Sequence, residues 1–254
     1  DTRHVCYCLT PARFLWNFDG YVAREGMGSF IRSLLPSLIQ RLARWDHMAS
    51  YRVDEFVSIS TCVQQRVRNT YDRESEIIYP PVRVPYSYEP TSVGDYYLVV
   101  SRLIPYKRID LAVKAFTQLG IPLHIIGNGR DKDALKAEAG ANVSFLGFLS
   151  DEEVAEEMRH CRAFIFPGEE DFGITPVEVM GCGRPVVAFK GGGALDTVVE
   201  GVTGTFFDEP TPASLAEAVL RIEEMVFDSE RIFEHAQRFE ESRFCALLRQ
   251  KLNQ

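Results

Sequence analysis

The sequence predicts an α/β protein whose larger part is a doubly wound parallel sheet. From Asp95 onward, short apolar runs rich in Val, Ile and Phe alternate with helical patterns. Buried strands separated by helices indicate a parallel sheet that is covered on both faces. The chain has 254 residues, of which 46% are hydrophobic, and this is enough to form a packed core.

The elements of this part follow one another in regular order. Strands are predicted at Tyr96–Val100, Pro122–Ile126, Val143–Leu146, Ala163–Phe166, Pro185–Phe189 and Thr205–Phe207. Helices are predicted at Arg108–Leu119, Asp131–Ala139, Asp151–Arg159, Pro176–Cys182, Ala194–Val199, Pro212–Phe227 and Glu230–Leu252. Such sheets bind ligands at the carboxyl ends of their strands, so the loops that lead into the helices are the expected location of a site.

Residues 1–94 predict a smaller and incomplete α/β part, with strands at Val5–Leu9, Glu55–Ile59 and Glu76–Tyr79. The proline-rich segment Tyr79–Pro85 disfavours helix and stiffens the chain, so a domain boundary is expected there. The predicted domains are 1–84, 85–228 and a C-terminal helical segment, 229–254, that packs back toward the N-terminal part.

The charge distribution argues against a nucleic-acid binder. The net charge is −8, whereas neutralising phosphates requires clustered positive charge. Residues 1–73 hold ten arginines and seven acids, a balance of +3, which leaves 18 basic and 29 acidic residues, or −11, for 74–254. The chain shows no apolar run of about 18 residues and no N-terminal signal pattern, so a cytoplasmic location is expected.

The basic residues of the N-terminal part concentrate between Arg24 and Arg52. There, arginines alternate with leucines, Ile39 and Trp45, as in an amphipathic helix that rests on anionic lipid. A helix that packs its apolar side on the core and exposes its arginines has the same pattern. Peripheral contact with the inner face of a membrane through 24–52 and simple core packing are both open at this point.

The six cysteines are scattered, and only Cys6 and Cys8 are close in sequence. On a strand this spacing places both thiols on one face and does not suit a zinc site. Reduced core thiols are therefore expected rather than metal ligands or disulfides. The acids of Asp131-Lys132-Asp133 are likewise expected to occupy the first turn of a helix, where the helix dipole favours them, rather than to hold a metal.

Two cations follow the first strand of the larger part. Arg102 and Lys107 lie in Ser101–Arg108, which leads into a helix. Fixed positive charges beside the N–H groups of a helix start form a site for an anion such as a diphosphate. Basic residues at a surface turn are the alternative. The segment lacks the G-x-G-x-x-G pattern of dinucleotide-binding folds, which weakens a nicotinamide interpretation.

Two further loops carry weaker signals. The glycines of Gly127-Asn128-Gly129 permit close approach of the backbone to a ligand, although they also suit an ordinary tight turn. In Ser150–Glu153, a serine and a glutamate three residues apart predict a capping box at the start of a helix.

The loop after the fourth strand of this part is acidic. Thr175, Pro176 and Glu178 match an N-cap, the first helical position and a capping carboxylate, so a structural role explains Glu178. Glu170 has no such explanation, and repulsion among the neighbouring acids is a cost that ligand hydroxyl groups could offset. Glu169 is expected to be a solvated neighbour.

Together these residues resemble the retaining glycosyltransferases of GT-B fold, family 4. The resemblance rests on Arg102, Lys107 and the pair Glu170 and Glu178, which enclose a Phe-Gly-Ile-Thr-Pro segment. It extends over nearly the whole chain. The segments that look most like the mannosyltransferases of bacterial and archaeal surface polysaccharide assembly are Val5–Trp16 and Ile78–Val82.

The resemblance implies a GT-B-like architecture with a Rossmann-type C-terminal domain for the donor and an acceptor-side N-terminal domain. It implies transfer of a hexose, with GDP-mannose as the first guess for the donor, to a glycan or lipid-linked acceptor with retention of configuration and without cofactor or metal. The implied catalytic residues are Arg102, Lys107 and Glu170. The implied donor-binding residues are Ser101, Gly127, Asn128, Phe172, Gly173, Ile174, Thr175 and Glu178.

The sequence departs from the family pattern in two places. Family members carry a longer N-terminal domain, so part of the acceptor side is expected to be absent from this chain. Leu9 stands where they have a histidine that contacts the donor sugar, and leucine cannot form a hydrogen bond with a sugar. The alternative is a catalytically idle nucleotide-sugar-binding module, or a subunit completed by a partner chain or in a homo-oligomer.

Overall fold

The computed structural model describes residues 2–16 and 36–253. The chain divides into two compact units, the first formed by Asp1–Pro80 with Phe244–Gln254 and the second by Pro81–Arg243. The division falls within the proline-rich segment in which the sequence predicts a boundary. The predicted C-terminal segment is divided between the units, since 229–243 belong to the second and 244–254 to the first.

Within the residues of the first unit that the structure describes, there are three strands: β1, Val5–Cys8; β2, Glu55–Ser58; and β3, Ser75–Ile77. They form a parallel sheet in the order β1-β2-β3. Its helices are α1, Arg13–Trp16; α2, Pro36–Ser50; and α3, Thr61–Tyr71. The predicted strands are present, with ends that differ by one or two residues. Part of the predicted basic helix over 24–52 is present as α2. Residues 24–35 of that prediction lie outside the described part of the chain.

Helix α3 is missing from the sequence prediction, although its signals are local. The Ser60 hydroxyl caps the helix by accepting a hydrogen bond from the Val63 N–H. Val63, Val67 and Tyr71 recur every four residues and form its buried side.

The second unit contains six strands: β4, Tyr97–Val100; β5, Leu123–Ile126; β6, Val143–Gly147; β7, Phe164–Phe166; β8, Val186–Phe189; and β9, Gly204–Phe207. They form one parallel sheet in the order β6-β5-β4-β7-β8-β9. The chain runs outward from β4 to β6 and then returns to the other side of β4. This order confirms the doubly wound α/β fold.

The helices of the second unit lie between these strands and after them. They are α4, Ile109–Leu119; α5, Lys132–Glu138; α6, Asp151–His160; α7, Ile174–Gly181; α8, Ala194–Thr197; α9, Pro212–Glu223; and α10, Ser229–Ala236. The last helix, α11, is Glu241–Leu252. Among the helices that the structure describes, none combines the length and the apolar character that crossing a membrane requires.

The prediction of one helix over Glu230–Leu252 is wrong. The chain forms α10 and α11, which are separated by a 3-10 turn at Gln237–Phe239. The turn buries Phe239, whose ring meets that of Phe172 edge-on with centroids 5.7 Å apart. Both helices are amphipathic, so the helical period alone does not reveal the turn between them.

The core of the second unit lies on both faces of its sheet. Its largest fully buried side chains include Tyr97, Phe116, Phe164 and Phe207. Nearly every residue of β4, β5 and β7 is buried, as expected for parallel strands that helices cover on both faces. This burial explains why these strands are recognisable as continuous apolar runs in the sequence.

Candidate functional site

The candidate site lies at the carboxyl ends of β4 and β7, the neighbouring strands at which the chain order of the sheet reverses. Open α/β sheets bind ligands at such a reversal. A pocket of about 40 Å³ opens there, lined by the end of β4, the loop after β7 and the start of α7. Pockets for whole small-molecule ligands measure roughly 300–1,000 Å³, so this one holds only a small group of a larger ligand.

The pocket brings together six of the predicted site residues. They are Ser101, Lys107, Glu170, Gly173, Ile174 and Thr175. The other five predicted residues lie outside its wall: Arg102, Gly127, Asn128, Phe172 and Glu178. Two loops that are far apart in sequence therefore meet in one place, as expected from their position at the carboxyl ends of neighbouring strands.

The two predicted cations lie in the segment between β4 and α4. Lys107 ends a 3-10 turn, Pro105–Lys107, and α4 begins at Ile109, one residue after the predicted start. Tyr106 lies between the cations: its hydroxyl accepts a hydrogen bond from the Arg102 guanidinium at 3.3 Å, and its ring centroid is 5.4 Å from the Lys107 Nζ. Sequence reasoning did not single out Tyr106, which contacts both positive groups.

The ammonium of Lys107 forms an ion pair with the carboxylate of Glu170. The exposed fractions of the two side chains are 15% and 22%. In such a partly desolvated place the attraction is stronger than at the surface, and each charge is costly to leave alone. The sequence suggested that ligand hydroxyl groups offset the charge repulsion at Glu170. The structure corrects this argument, because Lys107 offsets the charge of Glu170 within the protein and no ligand is needed to explain this acid.

The close approach of the two loops depends on glycines that sequence reasoning did not single out. A Cβ atom on Gly168 would lie 2.9 Å from the carbonyl oxygen of Lys107. The Gly193 N–H donates a hydrogen bond to the carbonyl oxygen of Glu170 at 2.8 Å, and a Cβ atom on Gly192 would lie 2.2 Å from the same oxygen. The glycine run after β8 thus supports the backbone of Glu170, and three consecutive glycines at the end of a strand are the signal for it.

Helix α7 begins two residues before its predicted start, with Gly173 in the left-handed conformation (φ 88°) as the residue before it. The prediction that Thr175 is the N-cap and Glu178 a capping carboxylate is therefore wrong. Pro176 lies within the first turn, where a proline is tolerated because the first N–H groups of a helix have no intrahelical partner. Ile174 and Thr175, at the positive end of the helix, are among the residues that line the pocket.

Glu178 lies within α7 and is partly buried. Burial raises the pKa of its carboxyl above the ordinary value; the positive charge of Arg83 opposes this rise, and the negative charge of Asp151 adds to it. A partly desolvated carboxyl with a perturbed pKa near a candidate pocket is typical of a functional group.

The predicted residues after β5 lie beside the pocket. A Cβ atom on Gly127 would lie 1.9 Å from the carbonyl oxygen of Ser101, so only glycine allows this contact between the loops after β4 and β5. The Gly127 N–H donates a hydrogen bond to the carbonyl oxygen of Gly147 at 2.7 Å. Asn128 is exposed, whereas Phe172 is buried and supports the acidic loop from within.

The remaining predictions concern structural roles. The capping box at Ser150 and Glu153 is confirmed, because each side chain accepts a hydrogen bond from the backbone N–H of the other residue. All six cysteines are present as thiols. Asp133 lies in the first turn of α5 and Asp131 just before it. In residues 2–16 and 36–253, no group of three or more His, Cys, Asp or Glu side chains is arranged to hold a metal ion.

Most of the second unit resembles known glycosyl transferases. Residues 91–241 match the family of glycosyl transferases group 1. An uncharacterised glycosyltransferase of Methanocaldococcus jannaschii is 27% identical over 181 residues, which are 68% of this chain and 51% of that protein. The GDP-mannose-dependent monoacylated alpha-(1-6)-phosphatidylinositol monomannoside mannosyltransferase of Corynebacterium glutamicum is 30% identical over 138 residues, 48% of this chain and 36% of that protein. The chain thus spans about half the length of these relatives or less.

A solved structure has a similar fold. The crystal structure of Anabaena HepE in complex with UDP superposes with a TM-score of 0.71 at 22% sequence identity, covering 84% of this chain and 68% of that one. At this identity the likeness shows the fold, and it confirms the GT-B-like α/β class.

We expect Glu178→Gln to stabilise the unliganded protein at neutral pH. Because folding raises the pKa of this carboxyl, the folded protein binds more protons between the two pKa values, and stability falls as the pH rises through this range. Gln removes that loss, so the melting temperature of the variant should exceed that of the wild type at about pH 7, and the difference should shrink at about pH 4.

Thermal unfolding at both pH values measures this effect. Glu217→Gln is the matched control, because Glu217 is exposed on helix α9 of the same unit and its replacement should leave the melting temperature nearly unchanged. A Glu178→Gln gain of the same size at both pH values would contradict the electrostatic explanation.

Proposed function

Because the chain belongs to the family of glycosyl transferases group 1, we propose that it binds a nucleotide-diphosphate sugar in its second unit and transfers the hexose to an acceptor. The observation that carries the proposal is the pocket in which Lys107 and Glu170 face each other. A diphosphate requires a cation, and sugar hydroxyl groups require a hydrogen-bond acceptor. One pocket offers both, as the junction between the sugar and the diphosphate of such a donor requires.

In this proposal, Lys107 and Arg102 hold the diphosphate. When the bond between the anomeric carbon and the diphosphate oxygen breaks, its electron pair moves onto the diphosphate. Cations that are already in position stabilise this developing charge more than they stabilise the bound donor, which lowers the barrier. Two side-chain cations supply the stabilisation, so the proposed reaction is metal-independent.

Glu170 accepts hydrogen bonds from hydroxyl groups of the donor sugar, beside the backbone of Phe172–Thr175. Glu178 accepts hydrogen bonds from the ribose, and Ser101, Gly127 and Asn128 contribute to the donor site. The acceptor hydroxyl oxygen attacks the anomeric carbon on the face from which the diphosphate leaves, and its proton passes to a phosphate oxygen. Configuration is retained, and no carboxylate nucleophile is needed.

GDP-mannose is the first donor to test, with a glycan or lipid-linked acceptor. The Corynebacterium glutamicum relative is named as a GDP-mannose-dependent mannosyltransferase, which supports this choice. The HepE structure of similar fold contains UDP, so UDP-hexoses form the second group of donors. A role in surface polysaccharide assembly is supported by the resemblance of Val5–Trp16 and Ile78–Val82 to mannosyltransferases of that process.

We expect Lys107→Ala to weaken the binding of GDP and GDP-mannose. Hydrogen bonds to charged groups contribute about 1.5–3 kcal/mol, which corresponds to a loss of roughly tenfold or more in affinity. Titration calorimetry measures it, with a melting curve to show that the variant is folded. Lys114→Ala is the matched control, because Lys114 pairs with Glu138 on the outside of α4 and should leave the affinity unchanged. Equal donor affinity of wild type and Lys107→Ala would show that the diphosphate assignment is wrong.

Turnover separates the enzyme from a binding module. Leu9 is 60% exposed and offers no hydrogen bond to a sugar, so donor binding and sugar transfer need separate tests. Mass spectrometry of released nucleotide, with and without lipid-linked acceptors, distinguishes the two. Donor binding without nucleotide release would support the idle module, or a subunit that a partner chain or a second copy completes.

We further propose that α2 contacts an anionic membrane surface, which would place a cytoplasmic protein at the inner face of the membrane. Its exposed apolar side chains are Leu38, Leu42, Trp45 and Met48. Arg41 and Arg44 are exposed on the same helix. Its one acid, Asp46, accepts hydrogen bonds from the Trp16 indole and the Tyr71 hydroxyl at 2.8 Å each. Apolar and cationic side chains without a free acid are typical of a helix that lies in the lipid interface.

We expect the protein to sediment with vesicles that contain phosphatidylglycerol and not with neutral phosphatidylcholine vesicles. Arg44→Gln should weaken vesicle binding about fivefold, since one basic residue near an anionic surface contributes about 1 kcal/mol. Arg243→Gln, an exposed arginine of the second unit, is the control and should bind as the wild type does. Equal sedimentation with both kinds of vesicle, or with neither, would exclude this surface as the contact.

A further inference from the structure

We propose that Glu170 couples the binding of the donor sugar to the binding of the diphosphate. The sugar binds Glu170, the diphosphate binds Lys107, and both contacts require the ion pair between these two residues to open. In the unliganded site the carboxylate of Glu170 holds the ammonium of Lys107. On donor binding, sugar hydroxyl groups replace the ammonium at the carboxylate, and the diphosphate replaces the carboxylate at the ammonium. The inference rests on the proposed function and adds that Glu170 weakens the binding of a nucleotide that has lost its sugar.

The backbone on each side of the ion pair is held by a close contact with a glycine. Gly168 lies so close to the backbone of Lys107 that a Cβ atom would be 2.9 Å from its carbonyl oxygen. On the other side, Gly193 holds the carbonyl oxygen of Glu170 with a hydrogen bond of 2.8 Å. Because both backbones are held in place, the two charges remain within reach of each other until a ligand separates them.

The competition involves one cation and one acid. Among the residues that line the pocket, Lys107 is the single cation and Glu170 the single acid. Their side chains are mostly shielded from water, with exposed fractions of 15% and 22%, so solvent is a poor substitute for either partner. A ligand that binds the ammonium of Lys107 must therefore also offer a new partner to the carboxylate of Glu170.

A nucleoside diphosphate alone has no sugar hydroxyl groups beside the diphosphate that could replace Lys107 at the carboxylate of Glu170. It draws the ammonium away and places its own negative charge beside a carboxylate that has lost its partner, and both effects oppose binding. A nucleotide sugar carries hydroxyl groups next to the diphosphate, and these donate hydrogen bonds to the carboxylate. The intact donor is thus accommodated, whereas the nucleotide product competes with Glu170 for Lys107.

This competition favours release of the product. Once the hexose has moved to the acceptor, Glu170 lacks its hydroxyl partners and again attracts the ammonium of Lys107. The diphosphate then loses part of its hold on the site. Glu170 therefore serves both as a contact for the sugar and as a positioning residue for Lys107.

The test compares a nucleotide with and without its sugar on wild type and Glu170→Gln. GDP and GDP-mannose are the first probes, and UDP and UDP-glucose the second. We expect Glu170→Gln to bind the nucleoside diphosphate about threefold to tenfold more tightly and the nucleotide sugar more weakly, so the preference for the intact donor falls. Titration calorimetry measures the affinity of each probe for each of the two proteins.

Two further variants separate competition from simple repulsion. Glu169→Gln removes the same charge from the neighbouring exposed acid, and it should change the affinity for GDP less than about twofold. Glu170→Gln should also have a smaller effect on GDP binding in a Lys107→Ala background, because the ion pair is then already absent. If Glu170→Gln does not fold, Glu170→Asp, with its shorter side chain, should change GDP binding in the same direction.

The possible outcomes are distinct. Unchanged GDP affinity in Glu170→Gln with weaker GDP-mannose binding would overturn the coupling and leave the proposed donor site intact. An equal gain in both Lys107 backgrounds would reduce the effect to repulsion and would also overturn it. Failure of the wild type to bind any of the four probes would refute the proposed function itself.

Discussion

The close approach of two loops at the reversal of the sheet is the constraint on which the site depends. The carboxyl ends of β4 and β7 are neighbours because the chain builds the sheet outward in both directions from this point. Gly168 then lies against the backbone of Lys107, and Gly127 against that of Ser101, at distances that leave no room for a Cβ atom. The charges of Lys107 and Glu170 are close because the backbones of their two loops are in contact. The ion pair is therefore a consequence of the fold rather than its cause.

The two cations of the site differ in how far the protein has already positioned them. Lys107 is mostly buried and held by a carboxylate, so its place in the pocket is defined before a ligand arrives. Arg102 is exposed and donates only a 3.3 Å hydrogen bond to Tyr106, so fixing it on a ligand costs side-chain entropy. In the proposed complex, Lys107 therefore determines where the diphosphate lies, and Arg102 adds charge from the solvent side.

The sheet and the loops could be predicted from the sequence because their signals are local. Buried parallel strands appear as apolar runs, and a ligand site is expected where such strands end; Lys107 and Glu170 meet in the pocket at these strand ends. The start of α7 was mispredicted because Gly173, in a left-handed conformation, outweighs the Thr-Pro signal that follows it. The neutralisation of Glu170 and the support from Gly193 arise between loops distant in the chain, and no local pattern reveals such contacts.

In the proposed complex, donor binding reverses the electrostatic preference that the fold gives to the carboxyl of Glu178. Burial raises the pKa of its carboxyl, so the charged form weakens the empty protein at neutral pH. Glu178 has no capping role in α7 that would offset this disadvantage. In the proposed complex, ribose hydroxyl groups donate to the carboxylate and favour its charged form. Donor binding is then linked to release of a proton, and the carboxyl that weakens the empty protein strengthens the complex.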